Sequence, residues 1–344
     1  MVSATTSTSR DGARRSGPDG ADRDGAATPA RPRWRERLAD PGTWAELAAP
    51  VGLVVLVVLF QVLDPTFLTL GNIEAMLAAA AILVVLATGQ TFTVATGGID
   101  LAVASTMTFS AVMFGVAFGA GAPVGVCVVV SVVTGLLFGL AQGLVIGYGR
   151  ITDFIVTIGG LSIASGLALV VSGGQPQSII STFMLRLSTG GVGVVGYPVL
   201  VALVVAAAAH VLLFHTRFGT HVLAAGGSPE AATATGISTR RVKTAVYTLS
   251  GTCAGLAGVL LVARIGAAEP AANTQFLLNA VASVVLGGVA LMGGRANIAG
   301  PLFGALLLTA LTNGLTLLGV SQFYQPVAVG SVVVLAAFLS RYQR

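Results

Sequence analysis

Apolar stretches long enough to cross a lipid bilayer follow one another along this chain from about residue 47 to residue 340, separated by short punctuation of Gly, Pro and charge. A helix needs about 20 apolar residues to span the hydrocarbon core, and about 17 at the least. The candidate runs fall at 47–63, 74–95, 101–119, 123–147, 154–172, 197–214, 244–263, 276–292, 297–318 and 326–340, the last of them short of that length. Only 9% of the residues are charged, where a soluble domain carries about 25%. Apolar side chains must therefore cover most of the folded surface. The sequence predicts an all-α polytopic membrane protein of about ten transmembrane helices.

The basic residues supply a separate test, because Lys and Arg gather on the cytoplasmic side of short loops. With the N-terminus placed inside and ten alternating spans, the tail, Arg150, Arg217, Arg240, Arg241, Lys243, Arg295, Arg341 and Arg344 share one face. That leaves only Arg186 and Arg264 of the 18 basic residues on the other. Both termini are expected in the cytoplasm. Residues 1–45 hold eight arginines between Arg10 and Arg37, interleaved with acids and rich in Gly, Ser, Thr, Pro and Ala. Such a composition cannot bury enough apolar surface to order a chain. The expected organisation is a disordered cytoplasmic tail, 1–45, and a transmembrane domain, 46–344, whose longest cytoplasmic loop is 215–243. The net charge of +5 comes from this arrangement and is no sign of nucleic-acid binding.

Chemistry has little to stand on. His210, His215 and His221 lack zinc-site spacing, so no metal ligands are expected, and Cys127 and Cys253 sit in apolar runs as small packing residues. There is no HExxH and no nucleophile elbow. Lys243, the one lysine, follows no glycine loop that could cradle phosphate. The acids Asp64, Glu74, Asp100, Asp153 and Glu269 all stand at span ends, leaving no intramembrane proton relay. The chain reads as a carrier of solute and not an enzyme, and energy for uphill movement must come from another subunit.

Two segments carry a legible local design. In "GGSPEAATATGIS", Ser228 can cap a short helix, Pro229 suits its first position, and Glu230 faces the positive end of the dipole. Ala231, Ala232, Thr233, Ala234 and Thr235 continue it, and Gly236 suits its end. The segment is either a connector or a knob for a cytoplasmic partner, whose surface the alanines would let come close. In "VATGGIDLAVAS", Gly97 and Gly98 end one span and Asp100 can cap the next; a direct solute contact is the other reading. "LMGGRANIAG" repeats the paired-glycine break on the same expected face. Uncharged polar residues within spans mark either interhelical hydrogen bonds or a solute path. The candidates for the path are Gln90, Thr93, Gln142 and Asn313, with Asp100 at a span end and Asn279 near the start of the eighth span.

From about residue 50 onward the chain resembles the inner-membrane permeases of bacterial ABC importers for ribose and related monosaccharides. The resemblance rests on "GGIDLAVAS", "FIVTIGGLSIASGLALVVSGGQP", "FGTHVLAAGGSPEAATATGIS", "VYTLSGTCAGLAGVL", "VVLGGVALMGG" and "GLTLLGVSQFYQ", in order. It implies a multi-pass protein of the bacterial inner (plasma) membrane that pairs with a second permease, identical or homologous. It also implies docking on cytoplasmic ATPase subunits and delivery of solute by an extracytoplasmic binding protein. ATP would bind the ATPase, and this chain would hold no cofactor. By resemblance, Ser228–Gly236 is the coupling helix that seats in the ATPase. The sequence departs from the family pattern at Thr152-Asp153, where a proline is usual before "FIVT". It departs again at Leu277 and Asn279, where Glu and Asp are common, and at Thr233 and Ala102, which replace Arg and Ser. Permeases for autoinducer-2 share the pattern, and an ion-coupled carrier is the alternative from another class.

Overall fold

The computed structural model describes residues 41–271 and 274–341. Residues 1–40 of the expected tail, all eight of its arginines among them, lie outside the described residues, as does Arg344.

The chain is mostly helical. Its elements run α1 (Pro41–Leu63), α2 (Leu70–Ala95), α3 (Val103–Gly119), α4 (Val124–Gly149), α5 (Asp153–Ser172), β1 (Gln177–Ser178) and α6 (Thr182–Thr189). They continue with β2 (Gly191–Val192), β3 (Val195–Gly196), α7 (Tyr197–Phe214), α8 (Arg217–Gly227), α9 (Pro229–Ala234) and α10 (Thr239–Ile265). The last are β4 (Ala267–Ala268), α11 (Thr274–Leu286), α12 (Ala299–Leu317) and α13 (Gln325–Arg341). Six of these helices, α2, α4, α5, α7, α10 and α12, are long and apolar enough to cross a membrane. Ala48–Leu63 within α1, α3, α11 and Gln325–Leu335 within α13 are apolar but shorter.

Helix α10 forms the centre of the bundle. It packs on α2, α3 and α4 and buries Val246, Tyr247, Ala254, Ala257 and Val262 completely. Its approach to α4 is set by glycine. Gly135, Gly139, Gly143 and Gly147 recur every four residues and so share one face of α4. A Cβ at Gly143 would stand 2.7 Å from Thr244 O, and one at Gly147 2.6 Å from Arg240 O. At Gly135 and Gly139 it would collide with the carbonyls of Gly251 and Tyr247. The two backbones touch because no side chain separates them, the small-residue packing that membrane helices use. Ser131 Oγ donates to Gly255 O at 2.9 Å and continues the seam.

Two features differ from a purely helical reading. Two-residue antiparallel ladders join β1 to β4 and β2 to β3, tying down the long 173–196 connection. Within that connection α6 turns Met184 into the core. The eighth apolar run does not continue to 292 as one helix: α11 stops at Leu286. Gly287 lies flat against the backbone of Gly300 and Pro301, and Gly288 takes φ +77°, a left-handed turn that ends a helix.

The connections sort to opposite ends. At one end, Gly294 N donates to Ala95 O at 3.0 Å, Gly226 packs on both, and Lys243 pairs with Asp153. The α2–α3, α4–α5, α7–α10 and α11–α12 connections thus gather together. At the other end β1 pairs with β4, next to Gly115 of α3.

Candidate functional site

The segment between α7 and α10 folds as two short helices. Thr216 opens α8, accepting from Gly219 N at 3.3 Å. Ser228 opens α9, with Oγ accepting from Ala231 N at 3.2 Å and donating to Glu230 Oε2 at 3.4 Å. At the far end Gly236 N donates to Thr233 O and Ile237 N to Ala232 O, both at 3.0 Å. With Gly236 at φ +86°, this is the doubled closure of a Schellman end. Thr233 Oγ1 returns to Pro229 O at 2.7 Å and Thr235 Oγ1 to Ala232 O at 2.9 Å. Six helical residues are too few to be stable by themselves, so caps at both ends hold the shape. The two central alanines part company here: Ala232 is 4% exposed, while Pro229, Glu230, Ala231, Thr233, Ala234, Thr235 and Gly236 face outward.

The neighbouring glycines anchor this knob to the bundle. A Cβ at Gly226 would collide with Ala95 O and stand 2.7 Å from Gly294 N, and a Cβ at Gly293 would stand the same 2.7 Å from Gly97 N. Helix α2 ends with Gly97 N on Val94 O and Gly98 N on Thr93 O, with Gly97 at φ +73°. The two paired-glycine breaks seen in the sequence therefore meet in space, and the stem of α9 rests on both.

Asp100 is not the cap of α3. Its Oδ1 accepts from Ala102 N, two residues on, at 3.0 Å, an Asx turn; Ala102 itself holds the N-cap position of α3, with no side-chain cap bond. Its Oδ2 accepts from Ser250 Oγ of α10 at 2.7 Å. The Gln90 amide closes the ring, Nε2 donating to Asp100 O at 3.3 Å and Oε1 accepting from Asp100 N at 3.1 Å. Thr93 Oγ1 donates to Gln90 O at 2.8 Å. All four side chains are buried, and together they fasten the α2–α3 connection to α10. A buried carboxylate that loses a donor costs about 1–3 kcal/mol. Ser250→Ala is accordingly expected to lower the thermal midpoint of the detergent-purified chain, and an unchanged midpoint would show that the tie adds no stability.

The remaining path candidates are dispersed. Gln142 is buried where α4 meets Gly160 of α5, and among the described residues its Oε1 has no donor. Asn313 exchanges hydrogen bonds with Asn72 at 3.0 and 2.9 Å, the interhelical reading. Asn279 Oδ1 accepts from Gln275 Nε2 at 3.1 Å, one turn apart on α11. The structure adds an ion pair across α5 and α10, with Lys243 Nζ 2.6 and 2.8 Å from the two Asp153 oxygens. Asp153 stands at one of the departures from the sequence pattern.

The family model described as branched-chain amino acid transport system / permease component matches residues 72–340. The ribose import permease of Bacillus subtilis (strain 168) is 38% identical over 309 residues, 89% of this chain and 96% of that one. The ribose import permease of Escherichia coli (strain K12) is 35% identical over 294 residues, 84% and 91%. The L-arabinose ABC transporter permease of Azospirillum brasilense is 33% identical over 324 residues, 93% and 94%. No solved structure matches the chain.

Proposed function

The chain belongs to the family described as branched-chain amino acid transport system / permease component, a family of transport permeases and not of enzymes, and from that premise we propose that it is the membrane subunit of an ATP-driven importer for a simple sugar of the ribose type. The observation that carries the proposal is the doubly capped α9, presented outward on a stem seated on two glycine breaks. Such a rigid projection suits docking on a cytoplasmic ATPase through Ser228, Pro229, Glu230, Ala231, Thr233, Ala234, Thr235 and Gly236, with Ala232 as its inward anchor. ATP is bound and hydrolysed by that partner.

The six long apolar helices and the four shorter ones together make ten crossings, with both termini in the cytoplasm. The end of the bundle carrying Arg150, Arg217, Arg240, Arg241 and Arg295 then faces inward, as the positive-inside rule requires. A second permease subunit, identical or homologous, completes the pathway. An extracytoplasmic binding protein delivers the solute, and the complex resides in the bacterial inner (plasma) membrane.

Identity to relatives named for ribose and L-arabinose import supports the sugar class. A second reading, another small polar solute such as autoinducer-2, draws on Leu277, where the pattern has an acid, and on Asn279, whose oxygen is engaged by Gln275.

The test is uptake of labelled ribose, L-arabinose and autoinducer-2 into proteoliposomes holding this chain, its ATPase and its binding protein. Ribose uptake that needs ATP and all three components is expected. Uptake by the chain alone, driven by an ion gradient, would replace the proposal with a secondary carrier.

A further inference from the structure

A groove of about 530 Å³ runs along the outside of the bundle where α4, α7, α8 and α10 meet, and none of the candidate path residues lines it. Its walls are Leu140, Leu144, Leu212, Phe218 and Leu249. Three threonines, Thr244, Thr248 and Thr252, also line it, four residues apart and so on one face of α10. Each turns its hydroxyl back onto a helix carbonyl, Thr244 to Arg240 O at 3.0 Å, Thr248 to Thr244 O and Thr252 to Thr248 O at 2.8 Å. The hydroxyls are thereby satisfied, and the groove stays apolar along its length. From Arg241 to Thr252 it covers twelve residues, a rise of about 16 Å along the helix, which is about half of the ~30 Å hydrocarbon core.

Charge marks only one end. Arg241 lines the mouth, with Arg240 exposed beside it and Arg217 next to Phe218. Tyr148, 52% exposed, stands at the same level, where aromatic residues mark a membrane interface. Lys243, two residues on and so on the other side of α10, already faces the Asp153 carboxylate. Arg241 has no ion-pair partner among the described residues, and no carboxylate lines the groove.

We propose that this groove binds an anionic phospholipid of the cytoplasmic leaflet, an acyl chain lying along Leu144, Leu249 and the threonine face and the phosphate resting on Arg241. An apolar slot one leaflet deep with a free guanidinium at its rim matches a lipid in length, polarity and charge. The leaflet assignment rests on the orientation proposed above; the groove and its chemistry do not.

Native mass spectrometry of the intact, detergent-purified chain, after exposure to phosphatidylcholine alone or mixed with phosphatidylglycerol, tests it. The native chain is expected to retain phosphatidylglycerol in preference to phosphatidylcholine. Arg241→Gln, at an exposed position that leaves packing intact, should weaken retention about fivefold, the contribution of one arginine at an anionic surface. Ala245→Phe, which fills the groove without changing charge, should abolish retention of both lipids. Arg186→Gln, on the opposite end, should change nothing.

Equal retention by native chain and Arg241→Gln would overturn the proposal. So would a disulfide between two copies through Leu144→Cys, because the groove would then be a subunit contact. External labelling of Arg241→Cys in intact cells would sink the orientation and the functional reading. Loss of selective retention with correct labelling would sink this site alone.

Discussion

Replacing Ala231 and Ala234 together with tryptophan is expected to abolish solute uptake while leaving the amount of inserted chain unchanged. The two residues lie three apart on α9, hence on neighbouring positions of one face, and both are exposed. Neither lies in a span, so insertion has no reason to change. Two indole rings would hold any partner surface away from the helix backbone. Hot-spot losses of about 3 kcal/mol are ordinary at protein interfaces, and that corresponds to a complex weakened by about 100-fold. The measurement is co-purification of the ATPase with tagged chain, read beside ATP-driven uptake in the same membranes. Ala231→Ser should retain both. Uptake at the native level by the double variant would mean that α9 is only a connector. Ala232→Trp is a different experiment: with Ala232 buried against the bundle, that variant reports on folding of the loop, not on docking.

The difference between these alanines shows where sequence reading stops. Ser228, Pro229, Glu230 and Gly236 declare a short helix because capping is local chemistry, decided within about three residues of each end. Which side of that helix faces the bundle depends on α8, whose own cap at Thr216 is visible in the sequence but passes for an ordinary loop residue. The same limit applies to Asp100. Its Asx turn is local, yet the choice between cap and tie is made by Ser250, 150 positions away. Asn313 needs Asn72, 241 positions away, before its amide reads as interhelical. Lys243 and Asp153, 90 apart, form an ion pair that composition alone leaves as two unrelated charges.

The six full-length apolar helices were legible because lipid imposes one length scale on them. The end of α11 was not, because hydropathy carries on through Leu286 while the backbone is turned aside by contact with Gly300. One signal was present and decisive: Gly135, Gly139, Gly143 and Gly147 stand at the four-residue spacing of a close helix pair. Their partner, α10, is fixed only by the fold.

Gly226 and Gly227 are adjacent, chemically identical and both in the last turn of α8, yet they are expected to respond oppositely to the same substitution. A methyl group at Gly227 meets only Gly294 Cα, at 3.8 Å, an ordinary contact. At Gly226 it would overlap Ala95 O and come within 2.7 Å of Gly294 N, both of them backbone. Backbone cannot rotate aside as a side chain does, so the α2–α3 and α11–α12 connections would have to separate and the Gly294 N–Ala95 O hydrogen bond would stretch. Overpacking of this kind costs about 1–3 kcal/mol. Because α8 is the stem of α9, the strain falls on the joint through which any movement of a docked ATPase would reach the spans. Gly227→Ala should therefore transport at the native rate. Gly226→Ala should melt at a lower temperature and lose most uptake, even where it still binds the ATPase. Thermal midpoints of both purified variants, read with ATPase co-purification and uptake, separate the outcomes. Equal behaviour of the two would show that the glycine contact at Ala95 and Gly294 is incidental. Loss of ATPase binding by Gly226→Ala would instead place its effect on the docking surface, and the joint would have no part in transmitting motion.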